Sequence, residues 1–533
     1  MKQQKQKKLY IVSMALMMVL ALMLQACSSN GGNGSNEATA KPSASPAATS
    51  ESKEEPPAPE LEPYEVSIVY FGTPQQDDAL VEEKLNEFFK EKINATVKLQ
   101  PIASSDYKNR TELMMNTGEK MDLVFTASWM NFFGNVSKGA FLELDDLVEK
   151  HGQGIKERIN PLYLEAPRMN GKLYAVPTNK EITQGKAFTY RKDIVEKYNI
   201  PIESINSVED LAPWLDTIKK NEPDMIPYFV GGGSGNFGGG FMMYETRGNY
   251  RPIGPTLGRQ PMFLLDYTST SDMTVKSVLD PEIVAINEQE VNMFRNYYEK
   301  GYVNSDAATN TTTIGDLQKQ GKIWVQSATW KPGSDIEMKI GSDNKYEYVS
   351  HVIEEPIVTT DLATGSMFSI SRTSKDPERA MMVLNYLHTD PYVINLIVNG
   401  IEGKHYKKVA ENRIEPIADS GFNSVTFWVI GNQLLNHLKP GQPDDLYTNW
   451  EKFNNEAKRF PLMGFAFDDT NVKNELTQMT AVVTEYKTIF TGAVKDPAKL
   501  LAERNGKLKA AGIEKVQAEL QKQIDAWWAA NKK

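Results

Sequence analysis

From Glu65 onward the chain alternates short apolar runs with amphipathic ones, and this alternation constrains the fold more than any other feature. Val66-Ser67-Ile68-Val69-Tyr70 reads as a strand, Gly72-Thr73-Pro74 as a turn, and Asp77-Asp78 as a pair that caps a helix. Leu80, Val81, Leu85, Phe88 and Phe89 then share one face at 3.6-residue spacing. Val97-Lys98-Leu99-Gln100 alternates as a second strand, Asp106 to Thr117 reads as a helix ended by Gly118, and Met121-Asp122-Leu123-Val124-Phe125 as a third, buried strand. Strand, helix, strand, helix, strand in that order implies parallel pairing and an α/β fold class. Ligands gather beyond the carboxyl ends of such strands, which points to residues 71–76 and 126–132.

The amino terminus carries a different message. Lys2, Lys5, Lys7 and Lys8 precede an apolar run from Leu9 to Leu24, the order of a secretory signal. The run is shorter than the roughly 20 residues a membrane span needs. Leu24-Gln25-Ala26-Cys27 resembles a bacterial lipobox, so Cys27 is the expected lipidation site and the first mature residue. It is also the only cysteine in 533 residues, which leaves no disulfide, thiolate metal site or cysteine nucleophile elsewhere. Acyl chains bury about 0.8 kcal/mol per CH₂, enough to hold a doubly acylated chain at a membrane. Ser28 to Pro59 are nearly all Ser, Thr, Asn, Gly, Ala, Pro, Lys and Glu, a composition that reads as a flexible tether.

Several chemistries are excluded. The formal charge is −10, and −14 (−10 − 4) once the four signal lysines are removed, with no cationic stripe for nucleic acid. The five histidines, at 151, 351, 388, 405 and 437, form no H-x-x-x-H pair, and no metal or cofactor is expected. No G-x-S-x-G elbow occurs. Gly233-Ser234-Gly235-Asn236-Phe237-Gly238 fits G-x-G-x-x-G after a possible strand, Ile226 to Val230, yet Met242 to Tyr244 gives no helix to hold a pyrophosphate. It reads instead as a flexible cleft loop. The adjacent carboxylates Asp145-Asp146, Glu354-Glu355, Asp444-Asp445 and Asp468-Asp469 read as caps and solvated faces, not as a glycosidase pair. No catalytic residue is assigned.

About 470 residues follow the tether, enough for two substantial cores. Asp376 is placed to cap a helix that starts at Pro377 and buries Met381, Val383, Leu384 and Leu387. Ile513, Val516, Leu520, Ile524 and Trp527 form the stripe of a last helix, with Trp527-Trp528 read as packing.

Taken in order, these segments resemble the extracellular solute-binding proteins of bacterial ABC importers, in particular the lipoprotein type with a carboxyl-terminal extension. The resemblance rests on Leu113 to Leu123 leading into the third strand, Gly139 to Leu147 as the helix after it, Asn170-Gly171-Lys172-Leu173-Tyr174-Ala175-Val176-Pro177 at a first crossing, Tyr190 to Ile194 opening a second lobe, and Gly400 to Tyr406. It implies a two-lobed, periplasmic-binding-protein-like type II fold with a hinge and an interlobe ligand cleft. Crossings are expected at residues 176–181, 363–371 and 401–422. The implied organisation is signal 1–26, tether 27–61, first lobe 62–178, second lobe 179–362, a return to the first lobe over 363–405, and 406–533 as second lobe plus helical extension. Differential affinity for the closed form would drive closure, which a membrane permease can recognise.

Sugars offer flat C–H faces and a rim of hydroxyls, so aromatic platforms and planar polar groups are the candidates. Trp129, with Thr126 and Ser128, lies in the loop after the third strand. Trp330 follows the Gly321-Lys322-Ile323-Trp324-Val325 strand, and Trp428 lies near the last expected crossing. Asn179 and Glu181 follow the first crossing. Each has packing or solvation as its alternative. Trp214, Trp324 and Trp450 are assigned to packing, and Glu402 and His405 to a buried network. The expected function is capture of a carbohydrate, first an oligosaccharide, by a monomeric, lipid-anchored protein that delivers it to an ABC permease. A peptide or other non-sugar solute on the same scaffold is one rival; a surface-anchored glycan-degrading enzyme is the other.

Overall fold

A computed structural model describes residues 61–231, 249–258, 260–310, 312, 314–423 and 427–531. The signal, Cys27, the tether up to residue 60 and the glycine-rich loop around 233–238 lie outside the described residues.

The first sheet grows from the alternation in the sequence. β1 (Tyr64–Phe71) leads to α1 (Asp78–Ile93), β2 (Ala95–Ile102), α2 (Tyr107–Thr117) and β3 (Leu123–Thr126). β1 pairs parallel with both β2 and β3, in register Ile68↔Leu99 and Ile68↔Leu123. α1 covers the sheet with Val81, Leu85, Phe89 and Ile93 and stops where Asn94 takes the left-handed conformation (φ 45°). Leu80, expected on that face, is 40% exposed. The sheet is completed from far along the chain: β4 (Val176–Pro177) and β9 (Met367–Ile370) give the order β2-β1-β3-β9-β4, with β9 antiparallel to β3. Buried Asp122 ties the layers together. Its carboxylate accepts from the Tyr64 hydroxyl (2.7 Å), the Ser67 amide (2.9 Å) and the Ser374 hydroxyl (2.6 Å), so its charge is fully met inside the core.

A second sheet has the order β10-β8-β5-β7-β6, from β5 (Gln184–Arg191), β6 (Ile226–Tyr228), β7 (Ile323–Trp330), β8 (Tyr348–Val358) and β10 (Lys458–Arg459). β5 is antiparallel to both β7 and β8, with Gly185 opposite Trp330. Three carboxyl-terminal helices, α5 (Lys473–Glu485), α6 (Pro497–Ala510) and α7 (Ile513–Asn531), close a further core over Phe263, Leu265 and Val275. Ile513, Val516, Leu520 and Ile524 of α7 are fully buried there, and Trp527 and Trp528 pack against it.

The chain passes between the sheets three times. The first pass joins β4 to β5 and the second joins β8 to β9. The third runs through α4 (Leu446–Glu456) to β10, later than the expected 401–422. The reason is that 401–422 fold back on the first lobe. His405, stacked on Phe422 at 5.2 Å, hydrogen-bonds Asp77 (3.1 Å), and Phe422, Val429 and Ile430 join the first core, beyond the boundary expected after residue 405. Asp77 accordingly makes no side-chain cap to α1, since its carboxylate is taken by Lys404 (2.7 Å) and His405. Nor does one helix span Gly139 to Leu147. Phe141 bridges Ser371 in extended form, and the helix covers Asp145–His151. α3 (Pro377–Thr389) does start as its sequence dictates, the Asp376 carboxylate accepting from the Arg379 amide at 2.9 Å.

Candidate functional site

The carboxyl ends of β1 and β3 deliver a cluster of aromatic rings. After Thr126 the chain tightens into a short turn, Ser128–Met130, ended by Asn131 at φ 64°. Trp129 projects from this turn with 53% of its surface open to solvent, the one exposed tryptophan among the described large apolar side chains. Its pose is fixed. The indole Nε1 donates to the Gly365 carbonyl (2.8 Å), the Ser128 amide donates to Thr364 (2.9 Å), and the ring leans on Phe71 (6.0 Å), Phe125 (6.4 Å) and Trp428 (6.4 Å). Trp428 is half-buried, 5.7 Å from Phe71 and 6.0 Å from Phe125, and its carbonyl accepts from the Ser366 hydroxyl (2.7 Å). Because the only polar atom of the Trp129 ring is already satisfied within the protein, what it offers outward is a flat apolar surface. Ser128 is half-exposed beside it, whereas Thr126 is 3% exposed, under the loop.

The candidates after the first crossing sit in a different setting. Asn179 is buried; its amide nitrogen donates to the Arg158 carbonyl (3.1 Å), and its backbone pairs with Gly431 and Gln433. It lines a polar cavity of about 300 Å³ together with Arg158, Asn160, Tyr163 and Asn454. Asn454 of α4 stitches this crossing, accepting from the Ile182 and Thr183 amides (2.9 and 3.3 Å) and donating to the Lys180 carbonyl (2.7 Å). Glu181 is 6% exposed and faces Lys331 (3.1 Å) and Lys180 (3.5 Å), and Lys331 reaches Glu337 as well (3.1 Å). Burial pushes the Glu181 carboxyl up, but the Lys180 and Lys331 ammoniums outweigh it and hold the group below its ordinary range. Lys331 also lies 4.7 Å from the ring centre of Trp450, whose Nε1 donates to Pro332 (2.8 Å).

Trp330 belongs to the second sheet. It is half-buried, edge-on to Phe453 at 5.6 Å. The structure thus brings Trp129, Trp428 and Ser128 together on the first lobe, and Glu181 and Lys331, the residue after Trp330, together at the hinge. Trp324 and Trp450 are 1% exposed and Trp214 is half-buried against the second core, all three within packing.

Two expectations about acidic residues fail. Glu402, expected with His405 in a buried network, is exposed. Glu354 is not on a solvated face: a register shift in β8 on either side of it turns its side chain inward, where it pairs with Arg251 and with Lys186 (3.7 Å) and is 10% exposed. An isolated Glu-Glu pair in a sequence carries no sign of a bulge. The role of Lys331 is equally hidden in the sequence, because its partner Glu181 lies 150 positions away. Among the described residues no group of three or more His, Cys, Asp or Glu side chains is arranged to hold a metal ion, and no helix is long and apolar enough to cross a membrane.

Two sheets joined by three crossings, with an exposed aromatic ring at the strand ends of one and a buried ionic cluster beside the other, have the architecture of a two-lobed binding protein. The family model for bacterial extracellular solute-binding proteins matches residues 84–397, and the chain belongs to that family. A domain of unknown function (DUF3502) matches residues 461–529, the segment of α5 to α7. Over 450 residues the chain is 29% identical to a protein of Streptococcus pneumoniae described as a carbohydrate ABC transporter substrate-binding protein, covering 83% of this chain and 86% of that one. The crystal structure of the N-glycan transport solute binding protein NgtS from Streptococcus pneumoniae superposes with a TM-score of 0.75 at 27% identity, covering 88% of this chain and 100% of that one. Its complex with Man1GlcNAc gives 0.69 at 26% identity, covering 87% and 99%.

Proposed function

We propose that this protein captures an oligosaccharide outside the cell, closes its lobes around it and hands it to the membrane permease of an ABC importer. The observation that carries this reading is Trp129, a 53% exposed indole held rigidly at the carboxyl ends of the parallel strands β1 and β3. A free tryptophan face fixed in advance is suited to stack on the C–H face of a pyranose with little ordering cost. The names of the relatives support the same class of ligand, and the Man1GlcNAc and Man5GlcNAc complexes of the neighbour in Streptococcus pneumoniae make mannose-bearing N-glycan fragments the first ligands to try.

In this reading Trp129 and Trp428 form the platform on the first lobe, Ser128 supplies a hydroxyl at its rim, and Trp330 contributes a third aromatic from the other lobe. Thr126 supports the loop from beneath. Asn179 and Glu181 set the hinge: Asn179 through its bond to Arg158, Glu181 through the charges that join the crossing to Lys331. Cys27 carries the lipid that keeps the protein, a monomer, at the outer face of the membrane. Titration of the protein's tryptophan fluorescence with a glycan panel tests the function. A saturable change with no product formed supports capture; turnover of any glycan overturns it.

A further inference from the structure

The second crossing holds an acidic side chain to which nothing so far gives a task. Asp361 lies in the short helix Thr360–Ala363, whose first turn is capped by the Thr359 hydroxyl accepting from the Leu362 amide (3.2 Å). Three bonds lay this segment along the Trp129 loop: the Ser128 hydroxyl donates to the Asp361 carbonyl (3.5 Å), the Ser128 amide to Thr364 (2.9 Å), and the Trp129 indole to Gly365 (2.8 Å). The carboxylates of Glu181 and Glu337 are engaged by Lys331, and that of Glu354 by Lys186 and Arg251. The Asp361 carboxylate has neither hydrogen bond nor ion pair among the described residues. Asp361 is exposed to water, yet the protein around it desolvates its carboxyl and pushes its pKa above the ordinary value. A helix of four residues gives it no dipole of consequence to answer. What meets an open carboxylate beside a stacking platform must bring hydroxyl or amide donors.

We infer that Asp361 is a ligand-binding residue, accepting hydrogen bonds from the hydroxyls of the sugar ring that stacks on Trp129, and so selects a neutral, hydroxyl-bearing ring over an anionic one. The inference rests on the oligosaccharide reading above. Two adjacent hydroxyls on a pyranose match the two oxygens of one carboxylate, and charge-assisted bonds of this kind are the strong ones. Stacking alone leaves a ring free to turn on the indole; the carboxylate fixes its orientation.

The test is calorimetry on the full-length protein and on Asp361→Asn, which keeps the shape and replaces one acceptor by a donor, with Man1GlcNAc and Man5GlcNAc as the probes. Asp361→Asn is expected to lose about tenfold or more in affinity with an unchanged melting temperature, in line with the strength of hydrogen bonds to a charged group. Monodeoxy analogues of Man1GlcNAc read the same contact from the ligand side. One deoxy position should cost the unaltered protein about as much as the substitution does, and cost Asp361→Asn almost nothing more. That pattern stands even if the variant melts lower. Equal affinity of the two proteins for Man5GlcNAc, or deoxy effects identical in both, overturns the role of Asp361 and leaves the sugar reading intact. Failure of the unaltered protein to bind any neutral glycan overturns the sugar reading, and this inference falls with it.

Discussion

Removing the indole of Trp129 separates its contribution to folding from its contribution to binding. With 53% of the residue exposed, roughly half of the ~200 Å² that such a side chain can bury is open to a ligand. Covering that half is worth about 2.5 kcal/mol at ~25 cal/mol per Å², or about 60-fold in affinity. The covered half and the hydrogen bond to Gly365 stabilise the fold by about 3 kcal/mol on the same scale. Trp129→Ala should therefore bind Man1GlcNAc and Man5GlcNAc about 60-fold more weakly by calorimetry while still folding, with a modest fall in melting temperature. Trp129→Phe, which keeps a flat aromatic ring but loses the pyrrole part of the indole and its bond to Gly365, should recover part of the affinity. Wild-type affinity in Trp129→Ala would refute the reasoning, because an exposed, pre-fixed platform that contributes nothing is not a platform.

Three further outcomes follow from the buried charges and the anchor. Glu181→Gln leaves Lys331 with Glu337 alone, and breaking this buried pair should cost about 3 kcal/mol in urea unfolding at neutral pH. Since the folded Glu181 titrates below its ordinary value, its contribution is present above the unfolded carboxylate pKa and fades as pH falls through the folded one, so the variant's deficit should shrink in acid. His388 is 1% exposed and burial depresses its pKa from 6.5 to about 3, so it stays neutral in the fold while the unfolded chain protonates. Stability should thus drop by about 2 kcal/mol between pH 6.5 and pH 5 from this group, and His388→Leu should flatten that slope in pH-dependent urea melts. Cys27→Ser should shift the protein from the membrane to the soluble fraction or leave it unprocessed, and acylation that persists in the variant would contradict the anchor.

Much of the first lobe is legible in the sequence because its signals are local. The apolar run at Val66, the stripe through Leu85 and Phe89 and the cap at Asp376 are each decided within one turn or one strand. Trp129 could be singled out for the same reason, since the rule that ligands gather at the carboxyl ends of parallel strands needs only the position of β3. What the sequence hides depends on partners far away. Asp77 looks like a cap until Lys404 and His405, more than 300 positions later, take its carboxylate. Glu354 looks solvated until a bulge turns it toward Arg251, and Asp361 carries no motif at all. The third crossing was misplaced because the hairpin Tyr406–Ala410 and Arg413–Pro416 has the same local grammar whether it folds onto one lobe or the other. The stacking of His405 on Phe422 and the bonds of Lys404 and His405 to Asp77 decide the matter.

Small-angle scattering of the protein with and without saturating Man5GlcNAc tests the mechanism of capture most directly. If the ligand bridges the lobes and its grip is stronger in the closed form, the radius of gyration must shrink on binding, and Trp129→Ala must need more ligand to reach the same compact curve. Identical scattering curves at ligand concentrations where calorimetry shows the site full would contradict closure as the signal a permease reads.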